Sequence, residues 1–308
     1  MTRPALLLKT LRSNHTDLEF FGFLGLFTKD KVLYALPELS EEPVFLRSLA
    51  KPLQASVMVD LDLRPQLTPD EVAIACASHV GEKEHVRVVK RILNKFNLDT
   101  GQLRCNTHAP LSLKTTGEEP INNNCSGKHA LMLALCVNQG WNTGAYLEFN
   151  HPLQRFICKK HKELCEYEEL VLSYDSCGTP IYGLPLRNIA KGYLNLFLDE
   201  KYRVIRDAFL TYPLLIGGKG RLDTRIMLAN SELIAKVGAG GLLAVLNLKS
   251  KEILLIKMSQ ENNQAREVTA SKILMQLGWI GKPLCSYDIF TFAGKKVGEY
   301  VECYGPLR

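Results

Sequence analysis

The chain has 308 residues, of which 46% are hydrophobic and 23% charged, a composition ordinary for a globular protein with a sizeable core. The net charge is +6 and the sequence pI is 8.7, and the basic residues are scattered along the chain, which disfavours a nucleic-acid-binding protein. No apolar run approaches the length of a membrane span, and the N-terminal sequence lacks the pattern of a signal peptide. We therefore expect a cytoplasmic protein with neither a membrane nor a nucleic acid as partner.

Segments with the composition of β-strands lie toward both ends of the chain. They are rich in aromatic and β-branched residues, and a short turn at Lys29-Asp30 separates the first two, as in a hairpin. The predicted strands cover residues 20–28, 31–38, 232–238, 241–248 and 252–258. We expect them to pair into one antiparallel sheet.

Helical spacing of apolar residues dominates the middle of the chain. Thr68 to Glu71 has the pattern of a capping box with proline at the first helical position, which predicts a helix start. The other predicted helices cover residues 82–96, 127–140, 152–165, 186–197, 200–211 and 262–278. A sheet from both chain ends, packed with a helical middle, predicts a single α+β domain over residues 1–308.

Three irregular segments interrupt this helical block, at residues 111–127, 173–185 and 212–224. Long irregular segments within a compact domain often carry function. We therefore look for binding or catalytic residues in these loops.

The segment RSLAK places Ser48 and Lys51 one helical turn apart. A serine hydroxyl is a poor nucleophile until a base accepts its proton. Lysine can be that base only if burial or another cation favours its neutral form. Taken alone, S-x-x-K is a weak signal, because exposed pairs of this kind are common.

Two later features strengthen a catalytic interpretation. Ser78 and His79 follow a predicted helix, and the stretch KVG begins at Lys236 on a predicted strand. Penicillin-recognising enzymes carry S-x-x-K, S-D-N and K-T-G in this chain order. Ser78 would relay a proton, and the charge of Lys236 would favour the neutral amine of Lys51. Each residue taken singly fits a structural role better than a catalytic one, and the catalytic interpretation depends on their occurring together in this order.

A second cluster is rich in sulfur. Cys125 and Lys128 lie three residues apart at a predicted helix start, and Cys177 lies in a Gly/Pro loop close to Asp175. Two thiolates suit a soft divalent ion such as zinc, with Lys128 as an unusual third ligand. Buried thiols and a solvated lysine are the simpler alternative.

A rival metal site has the spacing Cys158-x-x-His161-x-x-x-Cys165 along one helical face. We interpret this stripe as the face of a helix that packs against the core. The SGK sequence that ends at Lys128 does not form a phosphate-binding loop, because the upstream glycine is missing and His129 replaces Ser or Thr.

Taken together, these motifs resemble the bacterial asparaginase II family, the zinc-containing type whose fold is similar to that of serine β-lactamases. The most specific block is NNCSGKHA, which begins at Asn123. The segments that resemble the family, in chain order, are residues 45–54, 67–86, 103–110, 123–136, 173–186, 217–227 and 235–241.

The resemblance implies hydrolysis of L-asparagine to aspartate and ammonia by a homodimer with one zinc ion per chain. It implies three groups of site residues, which are the catalytic Ser48, Lys51, Ser78 and Lys236, the substrate-binding Arg47, His79 and Asp175, and the zinc ligands Cys125, Lys128 and Cys177.

One departure from the family pattern falls in the glycine-rich turn after Lys236. The family has an acidic residue where this chain has Gly240. Two alternatives to an asparaginase therefore stay open at this point. One is an amidase of the same fold that acts on glutamine or another amide, and the other is a non-catalytic, zinc-containing amino-acid-binding protein.

Overall fold

The computed structural model describes residues 3–38, 41–115 and 117–307. The strands are β1 (Ala5–Arg12), β2 (His15–Phe27), β3 (Val32–Leu36), β4 (Val44–Phe45), β5 (Val171–Tyr174), β6 (Pro180–Leu184), β7 (Leu233–Gly238), β8 (Leu242–Asn247), β9 (Glu252–Met258), β10 (Asp288–Phe290) and β11 (Lys296–Glu302). The helices are α1 (Ala50–Ala55), α2 (Val57–Asp60), α3 (Pro69–Cys76), α4 (Lys83–Lys95), α5 (Ser126–Asn138), α6 (Pro152–Cys165), α7 (Leu186–Leu198), α8 (Arg203–Thr211), α9 (Pro213–Ile216), α10 (Leu222–Ala229) and α11 (Asn263–Gln276).

The large sheet is antiparallel and has the strand order β10-β11-β1-β2-β9-β8-β7, with β3 paired to the end of β2. Strand β2 is long enough to pair with β1 up to Gly22 and with β9 from Gly22 onward. The N-terminal strands β1 and β2 therefore lie between two groups of C-terminal strands in one sheet. This topology confirms the predicted α+β class and the predicted sheet built from both chain ends.

Three strands of this sheet escaped the sequence analysis: β1, β10 and β11. Strand β11 has the sequence KVGEYVE, and most of its side chains are exposed or only half-buried. Strand β1 interrupts its apolar run with Lys9 and Thr10. Both sequences lack the continuous apolar character of the central strands β7 and β8, whose residues are all buried.

The expected loop over residues 173–185 is wrong at its start and in its second half, because Ser173 and Tyr174 end strand β5 and Pro180–Leu184 forms the fully buried strand β6. Strand β6 pairs with β4 and β5 in a small second sheet. Pro180 is tolerated as the first residue of the strand. At Gly183 a Cβ would lie 3.2 Å from the ring of Phe45 and from Pro43, so a larger residue would need these neighbours to shift.

Helix α3 lies at the centre of the helical part of the molecule, where it packs against α4, α5, α8 and α9. The predicted capping box is present, since the Thr68 N–H donates to the Glu71 carboxylate at 2.8 Å. Glu71 is fully buried and pairs with Arg91 and Lys95 from α4. Because α3 ends at Cys76 and the chain then becomes extended, Ser78 emerges in the interior beside α1.

No helix within the described ranges is both long enough and apolar enough to cross a membrane.

Candidate active site

A cavity of about 160 Å³ opens between the start of α1, the start of α5 and the loop after β5. Five of the residues proposed from the sequence line it, namely Arg47, Ser48, Cys125, Asp175 and Cys177. Residues that lie 130 positions apart in the chain therefore meet at one site.

Ser48 lies in a single 3-10 turn, Arg47–Leu49, that leads into α1. It is 8% exposed, and its hydroxyl forms no hydrogen bond within the described part of the chain. Arg47 has a φ of +47°, a left-handed conformation that non-glycine residues seldom adopt. This turn presents the Ser48 hydroxyl to the cavity.

The guanidinium of Arg47 crosses to the loop after β5. Its Nε donates to Asp175 Oδ1 at 2.8 Å, and its Nη2 donates to Ser176 Oγ at 3.0 Å. The Asp175 side chain is 8% exposed, so this ion pair is partly shielded from water. A cation and an anion thus stand side by side at the mouth of the cavity.

Lys51 is buried, and its amine makes three contacts. The Nζ atom lies 2.7 Å from the Ala77 carbonyl oxygen, 3.0 Å from Ser78 Oγ and 3.1 Å from the Asn124 carbonyl oxygen. The one-turn spacing from Ser48 is present, but the hydroxyl that Lys51 contacts belongs to Ser78.

Lys236 approaches the same hydroxyl from strand β7. Its Nζ lies 2.9 Å from Ser78 Oγ, 3.0 Å from the Val237 carbonyl oxygen and 3.6 Å from Asp223 Oδ2. Burial lowers the pKa of Lys236 to about 8, and the carboxylate of Asp223 opposes that shift. The structure therefore brings Lys51, Ser78 and Lys236 together, with Ser78 as the bridge between the two lysines, whereas Ser48 lines the cavity without a hydrogen bond to any of them within the described ranges.

His79 is fully buried and is not among the residues that line the cavity. Its Nδ1 accepts the Gly81 N–H at 3.1 Å, so its Nε2 carries the hydrogen and donates to Ser126 Oγ at 3.0 Å. Its ring stacks on that of His85, and burial lowers the pKa of the imidazole. This placement gives His79 the contacts of an interior residue, and the substrate contact implied by the resemblance finds no support in it.

The sulfur cluster also comes together. Lys128 is buried, and its Nζ lies 3.1 Å from Cys177 Sγ and 2.7 Å from Thr179 Oγ1. A hydrogen bond from Cys125 and the charge of Lys128 hold the pKa of the Cys177 thiol far below its ordinary value. Burial disfavours the charge on Lys128, but the two sulfurs outweigh it and raise its pKa. The result is a buried thiolate–ammonium pair.

The donor set of this cluster fits a soft divalent ion. Two sulfurs and an amine converge, and sulfur ligands suit zinc. Among the described residues, no group of three or more His, Cys, Asp or Glu side chains is arranged to hold a metal. A zinc site here therefore depends on Lys128 as the third donor beside Cys125 and Cys177, and the zinc ion stays a prediction.

The rival stripe on α6 has the contacts of core residues. His161 and Cys165 are fully buried, and Cys158 is half-buried. His161 Nδ1 lies 2.8 Å from the carbonyl oxygen of Ile157, one turn earlier in the same helix. These contacts agree with the interpretation of the stripe as a core-facing surface.

Several residues of this region could not be identified as site residues from the sequence. Asp223 lies within a segment that resembles the family, but a lone aspartate in the first turn of a helix is also a common helix-start residue. His108 lines the cavity, and its Nε2 accepts the Asn124 N–H at 2.9 Å. Ala239 lines it from the turn between β7 and β8. All three residues lie in segments that resemble the family, but no motif distinguishes them from their neighbours.

Comparisons with known proteins place the chain in a family. No curated protein matches it. Similar solved structures include a β-lactamase from Mycobacterium bovis, with 12% identity and a TM-score of 0.45 over 83% of this chain and 94% of that chain. A putative β-lactamase from Bacteroides dorei DSM 17855 has the same identity and TM-score over 82% of this chain and 93% of that chain. The family described as L-asparaginase II matches residues 12–299, and since that range is nearly the whole sequence, the chain belongs to the L-asparaginase II family.

Proposed function

We propose that the protein is an L-asparaginase that hydrolyses L-asparagine to L-aspartate and ammonia through an acyl-enzyme on Ser48. Family membership supports an amidohydrolase of the asparaginase type. The observation that carries the proposal is the Ser48 hydroxyl, which lines the cavity and has no hydrogen-bond partner in the described ranges. Buried Lys51, one helical turn away, contacts the carbonyl of the cavity residue Asn124 and the Ser78 hydroxyl.

The cavity suits a small zwitterion. Arg47 and Asp175 use only part of their hydrogen-bonding capacity on each other and on Ser176. An α-amino acid offers a carboxylate to the guanidinium and an ammonium group to the carboxylate, and such charge-assisted contacts are strong and directional. The cavity of about 160 Å³ has room for one small amino acid. These features support an α-amino-acid amide such as asparagine as the substrate.

In the first half of the reaction, Ser48 Oγ bonds to the side-chain amide carbon, and its proton passes to the amine of Lys51. The C–N bond then breaks as the Ser78 hydroxyl donates a proton to the departing nitrogen, which leaves as ammonia. Ser78 recovers its proton from Lys51. The product of this half is an aspartyl ester on Ser48.

In the second half, water attacks the ester carbon while the amine of Lys51 accepts a proton from the water. The bond to Ser48 Oγ breaks, and the proton returns to Ser48. Both tetrahedral intermediates carry a negative oxygen, which backbone N–H groups stabilise. The N–H of Ala239 is a candidate, because Ala239 lines the cavity and this N–H has no partner in the described part of the chain.

The sulfur cluster would add a second element to the site. Cys125, Lys128 and Cys177 would hold a zinc ion, whose chemistry there would be to orient the substrate, because Ser48 already supplies the nucleophile. Cys125 and Cys177 line the same cavity as Ser48.

The substrate is tested by measuring ammonia and the amino-acid product from L-asparagine and from L-glutamine with the purified protein. We expect equal amounts of ammonia and aspartate from asparagine. We expect a kcat/KM on glutamine lower by about 10-fold or more, since one extra methylene is worth roughly 1–3 kcal/mol in a closed pocket. Preferential hydrolysis of glutamine would contradict the proposed substrate, and binding of asparagine without turnover would contradict the proposed enzyme.

A further inference from the structure

The two lysines that contact Ser78 raise a question of charge. Lys51 is 1% exposed and Lys236 is fully buried, and both amines lie within 3.0 Å of the same hydroxyl oxygen. Two ammonium groups this close repel each other, and burying an uncompensated charge is costly. One of the two lysines is therefore expected to give up its proton.

A single carboxylate stands beside this pair. Asp223 is 1% exposed, and its Oδ2 lies 3.6 Å from the Nζ of Lys236. The three hydrogen-bond partners of Lys51 are all uncharged oxygens, and no ion pair links Lys51 to a carboxylate in the described part of the chain. Within the described ranges, the carboxylate nearest to the two lysines thus lies on the Lys236 side of Ser78.

The hydrogen bonds fit one distribution of protons. An ammonium group on Lys236 has three hydrogens for Ser78 Oγ, the Val237 carbonyl and Asp223. A neutral amine on Lys51 has two hydrogens for its two carbonyl partners and a lone pair for the Ser78 hydroxyl. Ser78 then donates to Lys51 and accepts from Lys236, so every group is satisfied.

The fold holds Asp223 firmly in this place. The carboxylate accepts the Thr224 N–H at 3.1 Å on Oδ1 and the Val237 N–H at 3.3 Å on Oδ2. It also packs against Gly217, where a Cβ would collide with Oδ1. The contact with Val237 ties the first turn of α10 to strand β7, next to Lys236.

Other titratable groups surround Lys236. Cys76 on α3 and Tyr193 on α7 are both buried, and burial raises the pKa of Cys76 to about 12 and that of Tyr193 well above its ordinary value, so both are neutral near pH 7. Arg221 adds a positive charge that disfavours the ammonium of Lys236. Asp223 is thus the group near Lys236 that favours its charged form.

We propose that Asp223 is a positioning residue that keeps the positive charge on Lys236 and so leaves Lys51 as the amine that accepts the proton of Ser48. The inference rests on the proposed Ser48–Lys51 chemistry and deepens it. Asp223 thereby decides which of the two lysines, Lys51 or Lys236, is the base.

The test follows the titration of Lys236 directly, without a substrate. The protein is labelled with ¹³C at lysine Cε, and the resonances of Lys236 and Lys51 are assigned with Lys236→Gln and Lys51→Gln. In Asp223→Asn, which keeps the shape of the side chain, we expect Lys236 to lose its proton about 1–3 pH units lower, as for removal of a nearby opposite charge. The alkaline limb of kcat/KM on asparagine should move down with it.

The control is Glu267→Gln, which removes the same charge from the partner of Arg225 on α10 and should leave both readouts unchanged. An unshifted Lys236 titration in Asp223→Asn would overturn the inference. If Asp223→Asn does not fold, the unmodified protein decides, because the inference requires Lys236 to be protonated at pH 7, and a neutral Lys236 at that pH would overturn it. A protein that shows the expected titrations but does not hydrolyse asparagine would refute the proposed function and leave this charge assignment standing.

Discussion

Two clusters near the cavity each contain a buried lysine. Their surroundings shift the pKa of that lysine in opposite directions. Lys236 sits among neutral oxygens with one carboxylate at 3.6 Å, and burial lowers its pKa to about 8. Lys128 sits against Cys177 and Cys125, whose sulfurs raise its pKa. The ammonium form of lysine is thus weakened in one cluster and strengthened in the other.

This difference predicts that substitutions in the two clusters change different properties of the protein. The Lys51–Ser78–Lys236 cluster should control the chemical step and its pH dependence. The Cys125–Lys128–Cys177 cluster should control metal content, with a smaller effect on rate.

The largest effect within this comparison is expected from Lys51→Met. The change removes the base and should lower kcat on asparagine by about 10³-fold. Lys272→Met on α11 breaks the ion pair with Glu302 and the contact with the Tyr287 ring, away from the cavity, and should stay within about twofold of the unmodified protein. Equal activities of the two variants, measured by ammonia release, would remove Lys51 from the mechanism.

Ser78→Ala should cost less, about 10²-fold in kcat, because it removes a proton relay but leaves nucleophile and base in place. KM should change little, since Ser78 is not among the residues that line the cavity. A rise in KM at constant kcat would instead assign Ser78 to substrate binding.

Cys177→Ser tests the second cluster. A serine hydroxyl is a harder and weaker zinc ligand than a thiolate, so we expect zinc to fall from about one ion per chain to well below that level. Metal content is measured by plasma emission after dialysis, with Cys303→Ser, a half-buried cysteine outside the cavity, as control. Equal zinc in both variants would place the metal elsewhere, and its absence from the unmodified protein would end the zinc proposal.

The pH profile should report the first cluster. Lys236 has a pKa lowered to about 8, so it is charged below this pH and loses its charge above it. We expect kcat/KM on asparagine to fall above about pH 8, because Ser78 then loses the cation that holds it. A profile that stays level to about pH 10 would contradict this role of Lys236.

The smallest effect on rate is expected from His79→Gln. His79 is buried and bonded to Ser126 and Gly81, so its loss should lower the free energy of unfolding by about 1–3 kcal/mol. Because it does not line the cavity, KM should change less than about threefold. Unchanged stability with a much higher KM would restore the substrate contact that the resemblance implies.

The sequence predicted the residues that belong to short catalytic motifs. Lys51, Ser78 and Lys236 follow Ser48 in a recognisable order, so the contact of both lysines with the Ser78 hydroxyl could be anticipated. Asp223 could not be, because its role depends on a contact between α10 and β7 that no spacing encodes.

The fold shows the same division. Strands β7 and β8 are buried throughout, and their apolar sequences identify them. Strand β11 is largely polar because much of it faces solvent. Strand β6 contains Pro180 and Gly183, residues typical of turns, so its sequence does not indicate a strand. Tertiary neighbours decide the structure of such segments, and local propensity does not.

The most direct test of the account compares ammonia release from L-asparagine by the unmodified protein, Ser48→Ala and Ser56→Ala. Ser56 is buried at the end of α1, and its hydroxyl donates to the Leu53 carbonyl within the same helical segment, so Ser56→Ala controls for loss of a hydroxyl there. The account predicts a loss of about 10³-fold or more in Ser48→Ala and little change in Ser56→Ala. Comparable turnover by Ser48→Ala and the unmodified protein would contradict the serine mechanism.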